Sequence, residues 1–131
     1  MGAEICYTGR IDFDKPVPAA AIGVELAELR DLEQDELFSL AYSPVGDLAG
    51  VIADDRHMFG HTHQWRRTLH LLETIAHSQQ QRLTADATWV SDPGPYFGTL
   101  IIDTLGRFHE VLDDECADTH RSSGCNCYVR R

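Results

Sequence analysis

The chain has 131 residues, of which 43% are hydrophobic and 24% are charged. These values fit one globular domain with its own core and exclude a chain that is disordered throughout. Eleven basic and 21 acidic residues give a net charge of −10. This balance disfavours nucleic-acid binding, because neutralisation of phosphates by cations supplies most of that affinity. Neither a membrane-spanning apolar run of ~20 residues nor a secretory signal is recognisable, so we expect a cytoplasmic protein without a membrane partner.

The first half of the chain predicts a strand, a helix and two further strands. Residues 4–13 alternate between apolar and polar side chains, which is typical of a half-buried strand, and Pro16 and Pro18 are expected to end it. An amphipathic helix is predicted over 19–32, and strands are predicted over 37–43 and 51–53. The residues expected to face inward from the first strand are Ile5, Tyr7, Ile11 and Phe13.

The second half predicts one long helix and three strands. Thr62 is positioned to cap a helix that runs to about Arg82, since its hydroxyl can accept a free amide of the first turn. Gly106 lies where a hairpin turn requires a positive φ. The expected apolar stripe of the helix is Trp65, Leu69, Leu72 and Ala76, with Ile75 beside it. The strands are predicted over 83–90, 96–103 and 107–112.

The predicted order of elements is β-α-β-β-α-β-β-β. It indicates an α+β fold with an antiparallel-rich sheet and two helices on one face of that sheet. The first six elements have the order of a ferredoxin-like βαββαβ core, to which the last two strands add a C-terminal hairpin. We therefore expect a single α+β domain over 1–112, followed by a polar tail containing cysteine and histidine over 113–131.

Four potential metal ligands are concentrated in the tail with the spacing C-x3-H-x4-C-x-C. Three cysteines and one histidine form a known set of ligands for structural zinc, so zinc is the cofactor that the sequence predicts. A tail with free thiols and a disulfide from the first cysteine to either of the last two are the alternatives. Cys6 is expected to be a small buried hydrophobe. The candidate zinc ligands are Cys116, His120, Cys125 and Cys127.

Histidines form two further groups. His57, His61 and His63 precede the long helix, and with Asp54 or Asp55 they could bind a divalent metal in a metal-dependent enzyme; the alternative is solvated loop histidines. The second group lies on the long helix itself, with the spacing H-x2-E-x3-H. Its histidines are about 10.5 Å apart along the axis, which is too far for one ion, so exposed polar residues are expected, with the glutamate and the second histidine as an i,i+4 pair. This second group is His70, Glu73 and His77.

Familiar catalytic motifs are absent from the sequence, which favours a non-enzymatic protein. The leading hypothesis is a small acidic binding protein with a protein partner. Lysine occurs once, at Lys15, against ten arginines, a bias typical of GC-rich genomes and their phages. A sharper hypothesis is therefore a phage-type accessory protein or inhibitor that targets a host macromolecule as a DNA mimic. Its candidate contact residues are Glu25, Glu28, Asp31, Asp54, Asp55, Asp113, Asp114 and Glu115.

Overall fold

The computed structural model describes residues 4–55, 60–92 and 96–113. These residues form six strands and two α-helices, which confirms the predicted α+β class. The helices are α1 (Gly23–Glu33), which follows a 3-10 turn at Ala19–Ile22, and α2 (Thr62–Ser78). The strands are β1 (Glu4–Val17), β2 (Phe38–Tyr42), β3 (Leu48–Asp54), β4 (Leu83–Asp92), β5 (Tyr96–Ile102) and β6 (Phe108–Leu112).

All six strands belong to one sheet with the order β2-β3-β1-β4-β5-β6. Every pair of neighbouring strands is antiparallel. A ferredoxin-like sandwich has four strands, whereas this sheet has six in one continuous order, so the structure establishes the α+β class and not the predicted ferredoxin-like arrangement. β1 is a central strand, and β2 and β6 are the two edges among the described strands.

The core lies between one face of this sheet and the two helices. The inward residues predicted for β1 are buried, and so is the predicted apolar stripe of α2. The Trp65 ring packs edge-on against Tyr7, with ring centroids 4.8 Å apart, so α2 lies on the inward face of β1. α1 contacts α2, and Arg67 donates to Glu28 across the two helices with one N–O distance of 2.7 Å. Period-two and helical patterns therefore located the core correctly.

β1 extends beyond Pro16 and ends directly before Pro18. The strand continues through Pro16 to Val17. Its register against β3 shifts between Asp12 and Val17, so the proline lies where the ladder to β3 is interrupted. A residue without an amide hydrogen is tolerated at such an irregularity, because no regular ladder bond is lost there.

Both ends of α2 differ from the prediction. The Thr62 hydroxyl accepts the backbone amide of Ile5 at 2.8 Å, which ties β1 to the start of α2, and no side chain caps the helix. The helix ends at Ser78 because Gln80 has a φ of 54°. The Gln81 amide then donates to the Ala76 carbonyl at 2.9 Å, as in a Schellman motif. Left-handed backbone at a glutamine has no clear signal in the sequence.

The β2–β3 and β5–β6 hairpins use the same type of loop. Gly46 and Gly106 have φ values of 92° and 79°, which confirms the positive φ predicted for Gly106. Each glycine amide donates to the carbonyl three residues earlier, at 2.9 Å to Ser43 and 3.0 Å to Asp103. Val45 and Leu105 consequently occupy equivalent, exposed positions at the tips of the two loops.

In the part of the chain that the structure describes, neither helix combines the length and the apolar character needed to cross a lipid bilayer.

Candidate binding groove

An open groove runs between α2 and the hairpin formed by β5 and β6. It contains two adjoining cavities of about 690 Å³ and 350 Å³, and Glu73 of α2 lines both. We call it the α2–hairpin groove. The larger cavity combines apolar residues with polar and charged ones: Ala76, Leu83 and Ile102, with His77, Arg82 and Asp103. The smaller cavity is lined by Arg66, Leu69, His70, Phe108, His109 and Glu110.

Glu73 joins the two walls of the groove. It lies at the border of the buried stripe of α2, next to Leu69 and Ala76, and its Oε2 accepts the backbone amide of Phe108 at 2.8 Å. Phe108 belongs to the edge strand β6, whose outward amides would otherwise need water. The carboxylate therefore fixes α2 against β6 and satisfies one edge amide.

A buried tyrosine holds the end of the groove near Arg66. The Tyr7 hydroxyl donates to Glu110 Oε2, and Arg66 Nη2 donates to Glu110 Oε1 at 3.1 Å. Burial, and then the Glu110 carboxylate, raise the pKa of Tyr7 above its ordinary range. The hydroxyl therefore remains a protonated donor at physiological pH, and it holds the Glu110 carboxylate in a fixed position.

Asp103 organises the hairpin turn at the other end of the groove. One of its oxygens accepts the amides of Leu105 at 2.8 Å and Arg107 at 3.0 Å, and the other lies 2.6 Å from His109 Nε2. The Arg107 amide, followed by His109, lowers the pKa of Asp103 from its usual 3.8 to about 2. Hydrogen bonds to the ionised carboxylate favour that form in the folded protein.

We expect Asp103→Asn to reduce the pH dependence of stability in acid. Because folding lowers this pKa, the ionised carboxylate stabilises the fold fully above its usual pKa of 3.8, and that contribution is lost as the pH falls towards about 2. The urea midpoints of wild type and variant should differ at about pH 6 and converge near about pH 2. The matched control is Asp35→Asn, an exposed carboxylate outside the hairpin. A gap between Asp103→Asn and wild type that stays constant over this range would contradict the expectation.

No family model, no curated protein and no solved structure matches this chain. The assignment of a function therefore rests on the chemistry of the groove and on the placement of the residues predicted from sequence.

The predicted loop site for a metal is not assembled in the described residues. His57 lies outside them. Trp65 Nε1 donates to Asp55 Oδ2 at 3.1 Å, and His61 Nδ1 lies 3.8 Å from the same oxygen, which is beyond hydrogen-bond distance. His63 is exposed. Among the described residues, no three histidine, cysteine, aspartate or glutamate side chains are grouped to hold a metal ion.

The predicted acidic contact residues are divided between the two sides of the molecule. Glu25, Glu28 and Asp31 lie on α1, where Glu28 is engaged by Arg67. Asp54 is opposite Thr8 in the sheet, on the exposed face away from the helices. The prediction of Asp55 as a contact residue was wrong, because its side chain is fully buried. The Thr99 hydroxyl donates to Asp113 at 2.5 Å, and Asp114 and Glu115 lie outside the described residues.

The predicted zinc ligands Cys116, His120, Cys125 and Cys127 also lie outside the described residues, so structural zinc stays a prediction. Cys6 is buried, as predicted.

The sequence predicted the exposed polar residues of α2 that line the groove, but not the hairpin that faces them. His70 and His77 are exposed, as expected for polar helix residues, and both line the groove. Glu73 was expected to pair with His77, but no ion pair joins these two described residues and Glu73 binds the Phe108 amide instead. The sequence shows a partly polar helix face and, later in the chain, a hairpin. Neither pattern indicates that these two elements contact each other.

Proposed function

We propose that this protein is a non-enzymatic binding protein that binds a segment of a partner protein in the α2–hairpin groove. The observation that carries the proposal is the lining of the groove, where polar and charged side chains, several of them held in fixed positions, surround a smaller number of apolar ones. Fixed polar groups in a binding site orient the bound segment, and apolar contacts add affinity.

The state of the groove carboxylates favours binding over catalysis. Glu73 accepts a backbone amide, Asp103 closes a turn, and Glu110 is held by Tyr7 and Arg66. A general acid or base must exchange a proton with a substrate, and these carboxylates instead hold the structure together. Their fixed positions suit recognition of a partner.

The net charge of −10 indicates a basic partner segment, since the field of an acidic protein attracts cations over long range. A phage-type accessory protein or inhibitor that acts on a basic site of a host macromolecule is consistent with this charge. The DNA-mimic version receives less support, because the described acidic candidates are divided between the α1 side and the open sheet face.

We also infer that β1 to β4 and the two helices form a ferredoxin-like core. The support is the order β2-β3-β1-β4 within the sheet, with α1 connecting β1 to β2 and α2 connecting β3 to β4. In this interpretation β5 and β6 extend the sheet beyond β4 and supply the second wall of the groove.

Peptide display tests the proposed function. Random peptides of about twelve residues are selected on wild type, and binding is then compared with Leu105→Arg, which alters an exposed residue of the larger cavity. Val45→Arg is the matched control, because it adds the same charge at the equivalent position of the β2–β3 hairpin.

Selected peptides are expected to be basic, to bind more weakly at high salt and to lose at least about tenfold in affinity for Leu105→Arg alone. Failure to select any peptide, or equal loss of affinity for both arginine variants, would overturn the proposed function.

A further inference from the structure

We propose that the outer edge of β6, which is unpaired among the described strands, binds the partner segment as an additional β-strand, whose side chains on the helix side enter the α2–hairpin groove. This inference rests on the proposed function and specifies the conformation of the bound segment. The backbone groups of β6 carry this proposal, whereas the side chains of the groove carry the proposed function.

The direction of the β6 backbone groups follows from its two ends. The Asp103 amide donates to the Arg107 carbonyl at 3.0 Å, and the Asp113 amide donates to the Phe97 carbonyl at 3.0 Å. Odd-numbered residues of β6 therefore direct their backbone groups towards β5. Because these directions alternate along a strand, Phe108, Glu110 and Leu112 direct theirs outward.

These outward groups are not equivalent. The Phe108 amide is bound by Glu73, whereas the amides of Glu110 and Leu112 have no hydrogen-bond partner within the described residues. An edge whose backbone groups at alternate residues are largely unpaired within the described ranges is complementary to one class of ligand, an extended polypeptide backbone.

The other edge of the sheet is less suited to this role. In β2 the Leu40 amide is bound by Glu33 at 2.7 Å, much as Glu73 binds Phe108. Neither of the two cavities borders β2, whereas the smaller cavity is lined by Phe108, His109 and Glu110 of β6. A strand added to β6 would thus place alternate side chains beside a cavity, which gives the specificity that backbone bonds lack.

The occupant is a basic segment of a different protein, not a second copy of this chain. Antiparallel pairing of two β6 strands over their full length is centred on Glu110 and brings the two Glu110 carboxylates directly opposite each other. Like charges in that position are destabilising. A lysine or arginine in the same position is favoured, in agreement with the net charge of −10.

The test uses a synthetic copy of the tightest peptide from the display experiment and a series of its variants, each methylated at one backbone nitrogen. A methyl group removes one donor and leaves the side chain unchanged. Strand addition predicts a period of two along the peptide: methylation at alternate residues lowers affinity by at least about tenfold, and the residues between them are the internal control.

Amide hydrogen exchange measured by NMR gives a second readout on the full protein. Saturation with the peptide is expected to slow exchange of the Glu110 and Leu112 amides by at least about tenfold. The His109 and Val111 amides, which face β5, serve as the reference because they are protected before the peptide is added.

The possible results separate the two proposals. A peptide that loses affinity for Leu105→Arg, but shows neither the period of two nor protection of Glu110 and Leu112, would leave groove binding in place and overturn strand addition. The absence of any selected peptide would overturn both.

Discussion

Replacing Trp65 with phenylalanine is expected to lower the free energy of unfolding by about 2–4 kcal/mol. Trp65 is fully buried between α2 and the sheet, and its Nε1 donates to Asp55 Oδ2 at 3.1 Å. The Asp55 side chain is also inaccessible to solvent. Phenylalanine leaves unfilled volume and removes a hydrogen bond from a buried carboxylate, and the second effect is the larger because solvent cannot replace the donor.

The second tryptophan of the chain supplies the control for this prediction. Trp89 is also buried, but its Nε1 donates at 3.2 Å to the backbone carbonyl of Thr99. Trp89→Phe therefore removes a neutral hydrogen bond and is expected to lose only about 1–2 kcal/mol. Urea unfolding of both variants checks the difference. Equal losses would show that the hydrogen bond from Trp65 to Asp55 contributes no more to stability than the bond from Trp89 to a backbone carbonyl.

Gly98→Ala is expected to lower the free energy of unfolding by at least about 2 kcal/mol. Gly98 lies opposite Trp89 in the β4–β5 ladder, and the indole ring covers it. A Cβ atom at position 98 would overlap Cε2 and Cζ2 of that ring. The ring is itself packed in the core, so it cannot move aside without displacing its neighbours.

Gly23→Ala separates this steric effect from the general effect of replacing glycine. Gly23 begins α1, and a Cβ there would meet no atom within 4 Å. This variant is expected to be neutral or stabilised by up to about 1 kcal/mol, because alanine favours helix. The double variant of Gly98→Ala and Trp89→Leu is expected to lose less stability than the sum of the two single losses. Additive losses in that double variant would mean that the ring is not what excludes the methyl group.

Patterns within a short stretch of sequence predicted the elements and the core well. The alternation around Tyr7 and the helical stripe that includes Trp65 each report burial, because one face of an element must be apolar to pack. Boundaries were less predictable where the backbone departs from the usual residue preferences. β1 passes through Pro16 at an irregularity, and α2 stops at a left-handed Gln80.

The groove could not be predicted in the same way, since residues distant in sequence create it. The Glu73 bond to Phe108 spans 35 positions and the Tyr7 bond to Glu110 spans 103. The sequence around Glu73 does not indicate that it binds Phe108, and the sequence around Tyr7 does not indicate that it binds Glu110. Asp55 was misjudged for a similar reason: an aspartate after a strand is usually solvated, but here Trp65 encloses it.

The central position of β1 has a consequence for biosynthesis of the protein. β1 is made first, but its two neighbours are β3 and β4, and the register with β4 extends to the pair Glu4 and Asp92. A nascent chain on the ribosome therefore holds a strand with one apolar face and without its pairing partners until most of the domain has emerged. High contact order of this kind slows folding and prolongs exposure to aggregation and to chaperones. The β5–β6 hairpin, which pairs locally and follows β4 in the chain, can then join an already assembled sheet.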